Sequence, residues 1–195
     1  MALPYRLFVK VSVLALTVIG LPLCLWLASL WAIKPLLTIT PFSWINIDGD
    51  RSSLASSQAP FTLLFLGYLS CDSICPATLA ELATVARHRD PQLLQILFVT
   101  LDATHDTVER RRRFVDSLGI ESVQLADKQL SRLRFELGDR APDIANHRGN
   151  VYLLNRQGII VDFFSSANLS WPALHDRLIS QLDVQSLSSI NPRSI

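Results

Sequence analysis

Apolar and polar residues fall in blocks along this chain, and the blocks change period. Residues 61–68 and 93–101 are near-continuous apolar runs of strand length, the pattern of strands covered on both faces. Residues 76–88 and 106–118 instead place apolar positions at helical spacing. Pro76 suits a first helical turn, and Gly119 ends the second helix. Residues 123–125 read as a short strand and 128–137 as a short helix closed by Gly138. Strands at 151–154 and 159–164 are joined by Asn155-Arg156-Gln157-Gly158, a hairpin turn. A last helix at 171–182 has Ser170 as its cap and Pro172 in its first turn. The order β-α-β-α-(β)-α-β-β-α predicts an α/β, thioredoxin-like fold with an inserted element, its mixed sheet covered by helices on both faces.

The flanks read differently. From residue 11 to residue 33 runs an uncharged stretch of 23 residues with Trp26 and Trp31 near its far end. A helix of that length spans roughly 34 Å, enough for a bilayer's hydrocarbon core. It is too long for the apolar part of a signal peptide and lacks a small-residue cleavage site. We expect a single N-terminal transmembrane helix, an anchor over 1–34. Arg6 and Lys10 before it favour a cytoplasmic N-terminus, which leaves the domain outside the inner membrane, where disulfides form. Residues 35–59, with Pro35, Pro41, Gly49 and a serine-rich run at 52–57, read as a tether and loose approach with a short strand around 42–47. The domain is expected over 60–184 and a disordered tail over 185–195.

Composition narrows the classes. The 195 residues are 49% apolar and 18% charged, enough for one domain with a real core, and a net charge of +1 argues against a nucleic-acid binder. Of three cysteines, Cys24 lies within the apolar stretch, and Leu21-Pro22-Leu23 lacks the small residue expected before a lipidated cysteine. Cys71 and Cys75 remain, at a strand-to-helix turn. At a spacing of i, i+4 two side chains share a helix face. The pair therefore suits a disulfide, a catalytic dithiol or a clip for one soft metal ion.

A helix start stabilises a thiolate, so Cys75 is predicted to be the more acidic thiol. Thiolate is both the nucleophile of disulfide exchange and a soft ligand for Cu(I). Dedicated exchange enzymes usually carry two residues between their cysteines; here there are three, which suits two sulfurs gripping one ion with a third ligand. His88 and His175 fall on helices and read as surface residues, leaving His105, in the turn after 93–101, and His147, in the loop before 151–154.

These residues resemble the SCO (SenC) family: Gly67-Tyr68-x-x-Cys71-x-x-x-Cys75-Pro76, then Asp102-x-x-x-Asp106-Thr107, then His147 five residues before Tyr152. The family's members are membrane-anchored thioredoxin-fold proteins of cytochrome c oxidase assembly, and the likeness covers about 60–165 plus the anchor. It implies a copper site of Cys71, Cys75 and His147, holding Cu(I) or Cu(II). It also implies delivery of copper to, or thiol maintenance of, the binuclear copper centre of oxidase subunit II. His147 is favoured over His105 because it alone has the family spacing. The chain departs from the family pattern at Ser70, Asp72, Ser73 and Ala103-Thr104-His105, leaving the three ligands intact.

The implied location is the bacterial inner membrane, domain in the periplasm, or the mitochondrial inner membrane. The domain is expected to be monomeric. Asp106 is expected to cap its helix, with positioning of a ligand as the alternative. Arg110-Arg111-Arg112-Arg113 are expected to form a solvated helix face pairing with Asp106 and Glu109, with docking to anionic lipid or an acidic partner as the alternative. The alternative function is a membrane-tethered thiol–disulfide oxidoreductase or redox sensor using Cys71 and Cys75 without copper.

Overall fold

The computed structural model describes residues 38–139, 144 and 149–190, with side chains to Asp183. All of them belong to one unit, Leu37–Ile195. The apolar stretch at 11–33, Cys24 and His147 lie outside the described residues. Among the described residues no helix is long and apolar enough to cross a membrane.

The two apolar runs become the centre of a five-stranded sheet. In chain order the elements are β1 (Ser43–Ile45), β2 (Arg51–Ser53), β3 (Phe61–Gly67), α1 (Ile74–His88), β4 (Leu94–Thr100), α2 (Val108–Phe114), β5 (Glu121–Val123), α3 (Asp127–Glu136), β6 (Val151–Asn155), β7 (Ile160–Phe164) and α4 (Trp171–Ile190). The sheet order is β5-β4-β3-β6-β7. β3, β4 and β5 run parallel, and β6 and β7 join as antiparallel strands. Phe61 pairs with Leu94 and Gly67 with Thr100, so β3 and β4 end level with each other.

Every residue of β3 is buried, and the period of two divides them. Phe61, Leu63 and Phe65 face a cluster with Leu82 and Val85 of α1 and Leu174 and Leu178 of α4. Leu64 and Leu66 face a second cluster with Leu97, Val99, and Leu133 of α3. Two-sided burial is what makes the run apolar without alternation.

Three expectations need correction. The segment read as a loose tether is part of the core: Ile39, Phe42, Trp44 and Leu54 are buried in the second cluster. Its serine-rich run contributes β2, paired antiparallel with β1. Serines hid this strand because its pairing is through backbone groups, and its side chains are half-exposed. The helix expected at 106–118 is two pieces, α2 and a 3-10 turn at Asp116–Leu118, ended by Gly119 at a φ of 77°. Finally, α4 continues to Ile190, through part of the expected tail.

Candidate functional site

β3 ends at Gly67, and the chain turns through Tyr68-Leu69-Ser70 to Cys71. A methyl group on Gly67 would meet the rings of Phe65 and Phe98 at 3.0 and 3.1 Å, so only glycine leaves the sheet here without displacing them. The turn closes with the Cys71 N–H donating to the Tyr68 carbonyl (3.3 Å). α1 then begins at Ile74, earlier than expected, which puts Cys75 in its first turn. Both cysteines are free thiols, and both are buried. They lie at the carboxyl end of β3 beside that of β4, where open α/β sheets place their sites.

The two sulfurs differ sharply, in the order opposite to expectation. Burial pushes the Cys71 thiol up, but donors converge on it: the Cys75 backbone N–H, the Ser73 hydroxyl and N–H, and the Cys75 thiol. Together they lower it to about 6. The Ser73 hydroxyl lies 3.6 Å from the Cys71 sulfur. Burial pushes Cys75 up to about 12 against a backbone hydrogen bond from Tyr68. Its donation to Cys71 and the nearby charges of Cys71 and Asp106 push the same way.

The correction has a simple cause. Unpaired N–H groups at a helix start stabilise an anion lying in front of them, not one carried within the turn. Ser73, at the cap position, makes no side-chain capping bond. The Cys71 sulfur takes the Cys75 N–H instead.

Two further residues hold this turn. Asp106, 1% exposed, does not cap α2; Thr107 does, accepting from the Arg110 N–H (3.3 Å). The Asp106 carboxylate accepts instead from the Leu69 N–H (3.1 Å) and the Thr100 hydroxyl (2.6 Å). It thereby ties the cysteine turn to the end of β4. Tyr68 hydrogen-bonds the Cys71 sulfur, and its phenol is raised by burial and then by the negative charge of Cys71. Spacing along the chain shows neither role: Asp106 acts on residues of other segments, and the Tyr68 contact depends on how the turn to Cys71 folds.

The remaining candidates separate. His105 is 70% exposed, and its ring meets the Asp102 carboxylate at 2.8 Å. His88 stacks on Trp171 at 6.1 Å, and His175 packs on that same ring. Among the described residues no group of three His, Cys, Asp or Glu side chains is placed to hold a metal, so His105 does not join the sulfurs. The four arginines part company: Arg111 is buried and donates to the Asp106 carbonyl (3.2 Å), and Arg112 pairs with Asp48 (3.6 Å). Arg110 lines a cleft of about 220 Å³ with Cys71, Cys75, Tyr68, Leu79 and Phe114.

One contact bears on the loop before β6. A methyl group placed on the buried Gly149 would lie 2.5 Å from the Ile74 side chain, so the backbone there rests directly on the first turn of α1. Only a residue without a Cβ allows that approach.

Known proteins match this arrangement. The protein SCO2 homolog, mitochondrial, of Bos taurus is 31% identical over 141 residues, covering 65% of this chain and 53% of its own. The chain thus spans about half the length of that relative. The structure of Bradyrhizobium japonicum ScoI with copper bound superposes with a TM-score of 0.60 at 22% identity, covering 72% of this chain and 97% of that one. BsSco, a member of the Sco family of cytochrome c oxidase assembly proteins in which a disulfide switch was identified, does so at 0.57 and 16%, covering 73% and 92%. At such identities these two likenesses establish the thioredoxin-like Sco fold. The SCO1/SenC family model matches residues 32–181, most of the chain. With that match and a cysteine turn built as described, the chain belongs to the SCO1/SenC family.

Proposed function

We propose that this chain is a copper-binding assembly protein for cytochrome c oxidase, taking copper as cargo on Cys71, Cys75 and His147. The observation that carries the reading is the paired sulfurs at the start of α1, one of them ionised at neutral pH. Two thiolates and an imidazole make a soft, low-coordinate donor set suited to Cu(I) and able to accept Cu(II). Cys71 offers its thiolate directly, whereas Cys75 gives up a proton when it becomes a ligand, so metal uptake releases that proton. His147 as third ligand rests on the family spacing, five residues before Tyr152.

The recipient is an oxidase subunit, in our reading subunit II with its binuclear copper centre. Residues 11–33 anchor the chain as one transmembrane helix in the bacterial inner membrane, or in its mitochondrial equivalent, with the domain on the periplasmic side. The test is copper titration of the reduced full-length chain in detergent, with Cys71→Ala, Cys75→Ala and His147→Ala beside it. One copper per chain is expected, and at least about 100-fold weaker binding in each variant. A wild-type chain that takes no copper overturns the reading; full affinity in His147→Ala removes the third ligand.

The split between the thiols also favours a second use of the same pair. The Cys71 thiolate attacks a partner disulfide, forming a mixed disulfide and releasing one partner thiolate, which takes up a proton. Cys75 then loses its proton and attacks the Cys71 sulfur, releasing the second partner sulfur. Two electrons pass to the partner, and this chain is left with a Cys71–Cys75 disulfide. Cys75→Ser should trap the mixed disulfide with oxidised subunit II. No trapped species, under conditions where Cys71 is alkylated, excludes this use.

A further inference from the structure

The cleft at the cysteines contains more than a metal clip requires. From Cys71 it extends along an apolar wall made by Tyr68, Leu69, Leu79 and Phe114, and Arg110 is the one cationic side chain among the described residues that line it. Arg110 and Phe114 stand four residues apart on α2, so they share a face of that helix. Phe114 leaves 52% of its surface in water although it is a large apolar side chain. Arg110 spends one N–H on the His105 carbonyl (2.8 Å) and makes no ion pair among the described residues. A guanidinium carries five N–H donors in a planar fork matched to a carboxylate. Among the described residues no acidic side chain lines the cleft to compete for them.

We infer that this cleft docks an extended segment of the partner protein in which an apolar side chain and a carboxylate flank the sulfur that meets Cys71. The inference rests on the reading that the cysteines serve a partner protein, and it names what that partner presents. A volume of about 220 Å³ admits side chains, not a folded surface. The apolar wall covers the hydrophobic one, and Arg110 takes the acidic one. The carboxylate neutralises a half-buried cation, and the contact gains strength as the wall excludes water. Arg110 thus selects partners by charge, next to the reacting sulfur. Arg113, exposed in the same run, does not line the cleft.

The experiment uses the full chain carrying Cys24→Ser and Cys75→Ser, leaving Cys71 as the only thiol. The probes are the peptides Leu-Glu-Cys and Leu-Lys-Cys, each as its mixed disulfide with 2-thiopyridine. The Cys71 thiolate attacks the peptide sulfur, a new disulfide forms, and thiopyridone leaves and is read by its absorbance. The quantity compared is the Glu-to-Lys rate ratio within each protein, so a general change in Cys71 reactivity cancels. A ratio of about 5 is expected at low salt and should shrink as salt is added. Arg110→Gln should bring it close to 1 and Arg110→Glu should invert it, while Arg113→Gln, with the same change in net charge, should leave it near 5. Phe114→Ala should slow Leu-Glu-Cys more than Ser-Glu-Cys.

An unchanged ratio in Arg110→Gln overturns the proposal. So does an equal loss in Arg113→Gln, which would mean a diffuse field and no local contact. The mixed disulfide of glutathione with 2-thiopyridine reacting as fast as the Leu-Glu-Cys probe would assign the cleft to a small thiol and overturn the peptide occupant. Copper titration of the chain without cysteine substitutions reports separately on the copper reading, so failure of one does not mimic failure of the other.

Discussion

Two of the molecule's cavities make opposite use of their polar groups. The larger, about 360 Å³, is walled by Trp44, Ser53, Ser57, Arg89 and Gln95. Several of its polar side chains are committed inside the protein. Arg89 donates to the carbonyls of Leu94 (2.8 Å), Ala86 (3.5 Å) and Gly119 (3.2 Å). Glu121 accepts from the Trp44 indole (2.7 Å) and from Gln95, whose amide oxygen accepts from the Ser57 hydroxyl (2.9 Å). The cleft at the cysteines is smaller, yet it holds a thiolate, an arginine without an ion pair among the described residues and an aromatic ring half in water. Volume does not mark a site; uncommitted chemistry does. The polar cavity joins β1 and β2 to the sheet, and in our reading the cysteine cleft acts on other molecules.

That contrast breaks most readily at the thiols themselves. At pH 7.5 iodoacetamide should modify Cys71 at least about 100-fold faster than Cys75, read by mass spectrometry of digested protein. The Cys71 rate should titrate with a midpoint of about 6. The sign for stability follows from its ordinary value of 9.0, which lies above the folded one. The stabilisation from the ionised form is complete above the ordinary value and disappears as pH falls through about 6. Equal alkylation of both cysteines would remove the distinction between attacking and resolving sulfur.

A smaller effect is expected one layer back. Asp106→Ala leaves the Leu69 N–H and the Thr100 hydroxyl without their acceptor, and should cost about 2–3 kcal/mol in urea unfolding. It should also slow Cys71 alkylation, because the turn that aims the sulfur loses its tie to β4. Loss of stability with unaltered Cys71 chemistry would make Asp106 purely structural. The smallest effect belongs to the polar cavity. Arg89→Met removes donors from three carbonyls and should cost about 1–2 kcal/mol, with Cys71 alkylation and copper binding unmoved. A change in thiol chemistry there would show that the two cavities are not independent.

Much of this was legible along the chain, and the exceptions have a common form. β3 and β4 were readable because two-sided burial demands an unbroken apolar run. The β6–β7 hairpin was readable because Gly158, at a φ of 79°, marks its turn. β2 was not, because serines carry no burial signal and its partner strand supplies the reason for its shape. Arg110–Arg113 looked like one feature and is several, since about 100° of rotation per residue sends neighbours to different surroundings. The cysteines were found as a pair, but their ranking was inverted. The helix start does stabilise a thiolate, but that of Cys71 in front of it and not that of Cys75 within its first turn.

The sequence by itself determined the order of elements, the cysteine pair at a strand-to-helix turn and the family resemblance, because burial period, turn residues and motif spacing are local properties. Only the tertiary structure decided which thiol is ionised, what Asp106 holds, and which arginine faces the cleft. Each of those depends on the direction of a donor or the depth of burial, and both are set by segments distant in sequence.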